Sequence, residues 1–146
     1  MTCECDEAEV VRIARAHLRR EARLEASEGA LVVEAETNQV VRWQFVSRRG
    51  ACSAEEPTRI DCRFHPPARV MWIGEVHVAP ELRGRGLGKR LVAAAEAVAA
   101  DLAARTVYVF PLAPARAFWQ RLGYRPHRRM ARVMVKDLAC GSPRGQ

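Results

Sequence analysis

The run Val78-Ala79-Pro80-Glu81-Leu82-Arg83-Gly84-Arg85-Gly86-Leu87-Gly88-Lys89-Arg90 gathers residue types able to hold an anion. Glycines at alternate positions let the backbone turn tightly and let a ligand come close to the amides. The apolar pattern that follows predicts a helix. Its first amides have no acceptor within the helix, and its dipole adds positive charge at the same place. Arg83, Arg85, Lys89 and Arg90 surround the turn. Together these features predict an anion site whose natural occupant is a pyrophosphate. A nucleotide-hydrolysing loop would need a glycine five residues before Gly88 and a hydroxyl residue after Lys89, where this chain has Arg83 and Arg90. A dinucleotide fingerprint fails on spacing, because its third glycine would fall on Lys89 or on Leu91. Just upstream, Glu75 and His77 share one face of an extended segment, while Val76 and Val78 share the other.

The flanking pattern predicts the elements that position this turn. Val10, Ile13, Ala14, His17, Leu18 and Leu24 recur at helical steps, which predicts an amphipathic helix over about residues 6–26, capped by Asp6 and stopped by Gly29. His17 reads as a residue at the edge of the core. Residues 31–35 and 40–46 read as an antiparallel pair around Thr37-Asn38. Turn formers and charge over 47–68 predict mostly loop, with a short extended piece near residues 60–64. Val70 to Ala79 reads as the strand that enters the glycine turn, and an alanine-rich helix runs from Leu87 to about Ala104. A buried strand over 106–110, a short helix over 114–122 stopped by Gly123, and a last strand over 130–138 complete the chain. No internal repeat or linker divides it, so residues 1–146 are expected to form one domain, with 1–5 and 141–146 frayed.

Composition narrows the class. Hydrophobic residues make up 49% and charged residues 28%, the balance of a chain with a packed core and not of a disordered one. The acidic start, with Glu4, Asp6, Glu7 and Glu9, does not read as an export signal, and no apolar stretch approaches a membrane span. Cys3, Cys5, Cys52, Cys62 and Cys140 are odd in number and scattered, which predicts reduced thiols in a cytoplasmic protein. Cys52, Cys62 and His65 fall within one predicted loop without zinc-ligand spacing, so no metal is expected. The net charge is +7, and no acid lies between Asp101 and Asp137, an interval that carries Arg105, Arg116, Arg121, Arg125, Arg128, Arg129, Arg132 and Lys136. Such a one-signed field attracts anions. Nucleic acid is not expected, since neither a helix-turn-helix nor an RNA-binding signature accompanies the charge.

Two motifs carry a resemblance. Arg83-x-x-Gly86-x-Gly88, entered from Val78-x-Pro80 and left by a long helix, resembles the coenzyme A pyrophosphate motif of the GNAT superfamily of acyl-CoA N-acyltransferases. Ala115-x-x-Phe118-Trp119-x-x-x-Gly123-Tyr124 resembles the second signature of that family, and residues 134–138 resemble how many members end. The resemblance covers about residues 31–138 and implies an α/β fold: a mixed, mainly antiparallel sheet with helices on both faces, splayed at the fourth and fifth strands. Coenzyme A would lie in that opening. The resemblance implies that the backbone of Val76 and Val78 pairs with the pantetheine arm. The amides of Arg83, Gly84, Arg85, Gly86, Leu87, Gly88 and Lys89 would hold the pyrophosphate, and Lys89, Arg90 or Arg121 would reach the 3′-phosphate. Phe118 belongs to the same cofactor-binding set. The implied activity is transfer of an acetyl group from acetyl-CoA to a primary amine, on a small molecule or a peptide, by direct attack. Such attack needs a base, and Glu75 and His77 are the candidates beside the acyl carbon.

The chain departs from the family pattern in three places. Trp119 stands where many members carry a tyrosine acid, and Leu112 where many carry an asparagine that contacts the cofactor. Tyr108 and Tyr124 remain as candidate acids. Only about nine polar residues precede the first helix, so the usual first strand is expected to be missing, and the edge left bare predicts a homodimer. A non-catalytic coenzyme A-binding protein of the same fold is the alternative to an enzyme.

Overall fold

A computed structural model of the chain describes residues 6–37, 39–48 and 56–138. The expected frayed ends, Asn38 of the turn, and Cys3, Cys5, Cys52 and Cys140 lie outside the described residues. The first helix, α1 (Glu7–Ala22), is capped by Asp6, whose carboxylate accepts from the amide of Ala8 at 3.0 Å. It ends earlier than the periodicity predicts. Arg23 takes the left-handed conformation, at φ 57°, and the amide of Leu24 returns to Leu18 O at 3.0 Å. Leu24 is thereby folded under the helix end and fully buried, so the apolar repeat that seemed to prolong α1 marks its C-cap contact.

A seven-stranded sheet follows: β1 (Gly29–Thr37), β2 (Val40–Ser47), β3 (Arg59–His65), β4 (Val70–His77), β5 (Thr106–Val109), β6 (Arg125–Pro126) and β7 (Met134–Asp137). Their order is β1-β2-β3-β4-β5-β7-β6, and every pairing is antiparallel except β4 with β5. The 47–68 segment needs correcting. β3 is a full central strand, paired along its length with both β2 and β4. Its residues alternate strictly, with Ile60, Cys62 and Phe64 in the core and Arg59, Asp61, Arg63 and His65 on the other face. Cys62 and His65 therefore face opposite sides of the sheet, and burial pushes the Cys62 thiol well above its ordinary range. The last strand is shorter than expected, and the two-residue β6 beside it has no counterpart in the sequence reading.

Helix α2 (Leu87–Asp101) connects β4 to β5, and α3 (Arg116–Arg121) precedes β6. Alanines at 14, 94, 95 and 99, all buried, let α1 and α2 lie side by side over the face that carries Trp43, Phe45, Ile60 and Met71. His17, nearly buried, joins the two helices through Nε2 to Asp101 Oδ2 at 2.6 Å. Among the described residues no strand precedes α1, and β1 is an edge of the sheet. Glu7 Oε2 accepts from the outward amide of Ala35 at 2.9 Å, blocking part of that edge. No helix of the described residues is long and apolar enough to cross a membrane.

One irregularity shapes the site. Asp61 pairs with Glu75 and Cys62 with Ile73, so Gly74 is an extra residue bulged out of β4. Pairing with β5 stops at Ile73–Val109, and from Gly74 to His77 β4 keeps only β3 as a neighbour. The two central strands part at that point.

Candidate active site

The free half of β4 runs into the glycine turn. Pro80–Leu82 form one 3-10 turn, and Arg83 Nε donates to Val78 O at 3.0 Å, bracing the exit from the strand. Gly84 and Gly86 hold φ of 81° and 78°, the left-handed region that side chains make costly. No atom stands within 4 Å of where either glycine would carry a Cβ, so the turn is open on that side. Gly86 caps α2 without a side-chain hydrogen bond, and Arg90 N is the first amide to reach back, to Gly86 O at 3.1 Å. The amides of Leu87, Gly88 and Lys89 are therefore left without an intrahelical acceptor. Gly88 differs: a Cβ there would make ordinary contacts with Val78 at 3.5 Å and the Phe118 ring at 3.6 Å. Phe118 thus closes one side of the turn. Among the described residues no carboxylate pairs with Arg83, Arg85, Lys89 or Arg90, and Arg90 Nε is buried without a hydrogen-bond partner. These groups suit a polyanion such as the diphosphate of coenzyme A. Arg121 is exposed, with Nε donating to Ala117 O at 3.3 Å.

Where β4 and β5 part, a cleft of about 510 Å³ opens. Ile73, Glu75 and His77 line one side of it, and Phe110, Leu112 and Trp119 the other. Phe110 and Leu112 are 57% and 79% exposed, an unusual position for large apolar side chains and one suited to a rim that a ligand covers.

Glu75 and His77 share the cleft side of β4, but their surroundings differ. Arg59, directly opposite His77 on β3, reaches Glu75 with Nε and Nη2 at 2.8 and 2.9 Å. Those hydrogen bonds, with the guanidinium charge, hold the Glu75 carboxyl below its usual range despite partial burial. Among the described residues His77 Nε2 is shielded from solvent and has no hydrogen-bond partner, and a carboxylate oxygen, Glu56 Oε2, stands at 3.8 Å. Beside them Asp61 is clamped by Arg42, at 2.9 Å to each oxygen, and Arg63 pairs with Glu36 at 2.8 Å. The polar wall of the cleft is thus built of acids already matched by arginines.

Neither tyrosine lines the cleft. Tyr108 packs edge-on against Trp72 and His127, at 4.8 and 5.7 Å between ring centres. Tyr124 donates to Glu96 Oε2 at 2.8 Å, and Lys136 Nζ holds the other oxygen of Glu96 at 3.1 Å. Burial and the nearby Glu96 charge push the Tyr124 phenol far up. Trp119 occupies the cleft wall, only 6% exposed, between the rings of Phe118 and Tyr124. The sequence reading did not pick out Arg59, Asp61 and Arg63 as part of the site. Their signal was the charged–apolar alternation from Arg59 to His65, which turn-forming neighbours on both sides obscured.

Comparison with known proteins agrees with this geometry. The model of the acetyltransferase (GNAT) family matches residues 6–124. A putative acyl-CoA N-acyltransferase from Klebsiella pneumoniae superposes with a TM-score of 0.54 at 22% identity, over 90% of this chain and 91% of its own. Tetrahymena GCN5 superposes with a TM-score of 0.54 at 11% identity, over 89% and 86%. A nourseothricin acetyltransferase does so with a TM-score of 0.51 at 15% identity, over 75% and 84%. At such identities the likeness is one of fold. No curated protein matches the chain in sequence. The family match spans most of the chain and takes in both the glycine turn and the cleft-lining helix, so the chain belongs to the GNAT family of acetyltransferases.

Proposed function

We propose that the chain transfers an acetyl group from acetyl-CoA to a primary amine, on a small molecule or a peptide, by direct attack within the cleft at the β4–β5 split. The observation that carries this reading is the continuity of three features: β4 free of β5 beyond Ile73, the left-handed turn at Gly84 and Gly86, and the unpaired amides of Leu87 to Lys89. A thioester arm and its diphosphate need those features in that order.

Acetyl-CoA supplies an activated acyl thioester. The backbone of Val76 and Val78, with no strand on the β5 side, offers hydrogen bonds to the amides of the arm. The turn amides would hold the diphosphate, and Lys89, Arg90 or Arg121 would reach the 3′-phosphate. An amine arrives as ammonium and must lose a proton before it attacks. Glu75, kept ionised by Arg59, attracts the ammonium and orients it. His77, on the cleft wall, takes the proton, directly or through a relaying water. Trp119 and Phe110 exclude water from the acyl carbon. With neither phenol in the cleft, no protein acid is assigned to the departing thiol, which is acidic enough to leave as thiolate.

The test is release of free thiol from acetyl-CoA with a panel of primary amines, alongside calorimetric binding of coenzyme A. Saturable, amine-dependent release supports the reading. Binding without release by any amine would favour the coenzyme A-binding alternative, a reading that the displacement of both tyrosines from the cleft makes specific.

A further inference from the structure

A second concavity lies on the sheet face away from α1 and α2. Val107, Val109 and Met134 turn into the core, so their neighbours Tyr108, Val135 and Asp137 face the opposite way, and β6 places Arg125 across from Val135. These residues and the turn after β6 enclose a bowl of about 380 Å³. It shares β5 with the cleft but none of its lining residues.

We propose that this bowl binds a phosphate monoester carried on a planar ring. Three observations point there. First, the charge is mainly positive and largely unspent. Arg128 and Arg129 are exposed and pair with no carboxylate among the described residues. The single acid of the bowl, Asp137, is taken by Arg125 at 3.0 Å. Second, His127 has its proton placed by the backbone. Its Nδ1 accepts from the amides of Arg129 and Met130, at 2.9 and 3.0 Å, so the ring proton sits on Nε2 and is a donor. An imidazole N–H beside two free guanidinium groups suits a phosphate, whose oxygens accept several bonds at once. Third, the wall is aromatic. Tyr108 is half-buried and stacked edge-on with His127, and Trp72 braces it from behind. A planar ring finds favourable edge and face contacts there, which an aliphatic phosphate would not.

The test uses the full chain, labelled with nitrogen-15, in titrations with phenyl phosphate, inorganic phosphate and benzyl alcohol. Phenyl phosphate should saturate and shift the signals of His127 Nε2 and of the Arg128 and Arg129 side chains. Inorganic phosphate should move the same signals with several-fold weaker affinity, and benzyl alcohol should move none. The double variant Arg128→Ala, Arg129→Ala should weaken phenyl phosphate at least about tenfold without changing the melting temperature, since both side chains are exposed. Asp137→Asn, which frees Arg125, should tighten it. The proposal is overturned if shifts appear only at the amides of Gly84 to Lys89, if the double variant binds as the parent does, or if phenyl phosphate binds no tighter than inorganic phosphate. All these readouts report binding at named atoms, so they stand or fall apart from acetyl transfer in the cleft.

Discussion

Glu75 and His77 stand two residues apart on one strand face in different surroundings, and under the proposed reaction they would do different work. A carboxylate locked by a two-pronged arginine is a poor proton acceptor, and the His77 ring carries no such clamp among the described residues. His77→Ala should therefore lower kcat by about 100-fold or more, the range expected for loss of a general base. Glu75→Gln should mainly raise the KM for the amine, and steady-state thiol release separates the two effects. The Arg59–Glu75 pair also predicts a pH dependence of stability. Because the fold lowers the Glu75 pKa, the pair's contribution is complete above its ordinary value of 4.5 and disappears as pH falls through the lowered one. Glu75 is 47% exposed, which limits that contribution to about 1 kcal/mol or less. Denaturant unfolding should find Arg59→Ala less stable than the parent near pH 7, with the gap narrowing as pH falls below 4.5.

At the scale of elements, the three glycines of the turn divide by mechanism. Gly86→Ala must force a Cβ into the left-handed region, at a cost of about 1–2 kcal/mol, and should weaken coenzyme A binding as the turn relaxes. Gly88→Ala meets only ordinary contacts with Val78 and Phe118 inside α2, and should cost no stability. Thermal melts of the two variants check the contrast. The turn was legible because alternate glycines, flanking cations and an apolar helix pattern are all local signals. The Gly74 bulge was not, since it exists only in the register between β4 and β3. Nor was the end of α1, where Leu24 continues the helical period in sequence while sitting beyond a left-handed residue. β3 carried a period-2 pattern throughout, yet its length was hidden by the prolines and glycine nearby. β6, at two residues, is too short to show any period.

For the whole molecule, the excess of positive charge has a direction. The cations around the glycine turn and those on the chain after α2 lie on elements that flank the cleft or the bowl, while Arg42, Arg59 and Arg63 are spent on carboxylates of β1, β3 and β4. Affinity for coenzyme A should therefore fall several-fold between about 0.05 and 0.5 M salt, as screening shortens the reach of those charges. Calorimetry with coenzyme A and with its dephospho form checks this, the dephospho form showing the weaker dependence. Long-range charge was plain in the sequence, but its pairing was not. Arg42 with Asp61 and Arg63 with Glu36 match residues 19 and 27 positions apart, neighbours only because the strands align them.

Trp119 has one more consequence. An indole in the wall of the cleft, shielded on its other sides by Phe118 and Tyr124, gives the chain a built-in optical reporter. Emission from that ring should shift as adenine-bearing ligand fills the opening, and Trp119→Phe should silence the change while Trp43, sealed in the core, goes on shining unaltered.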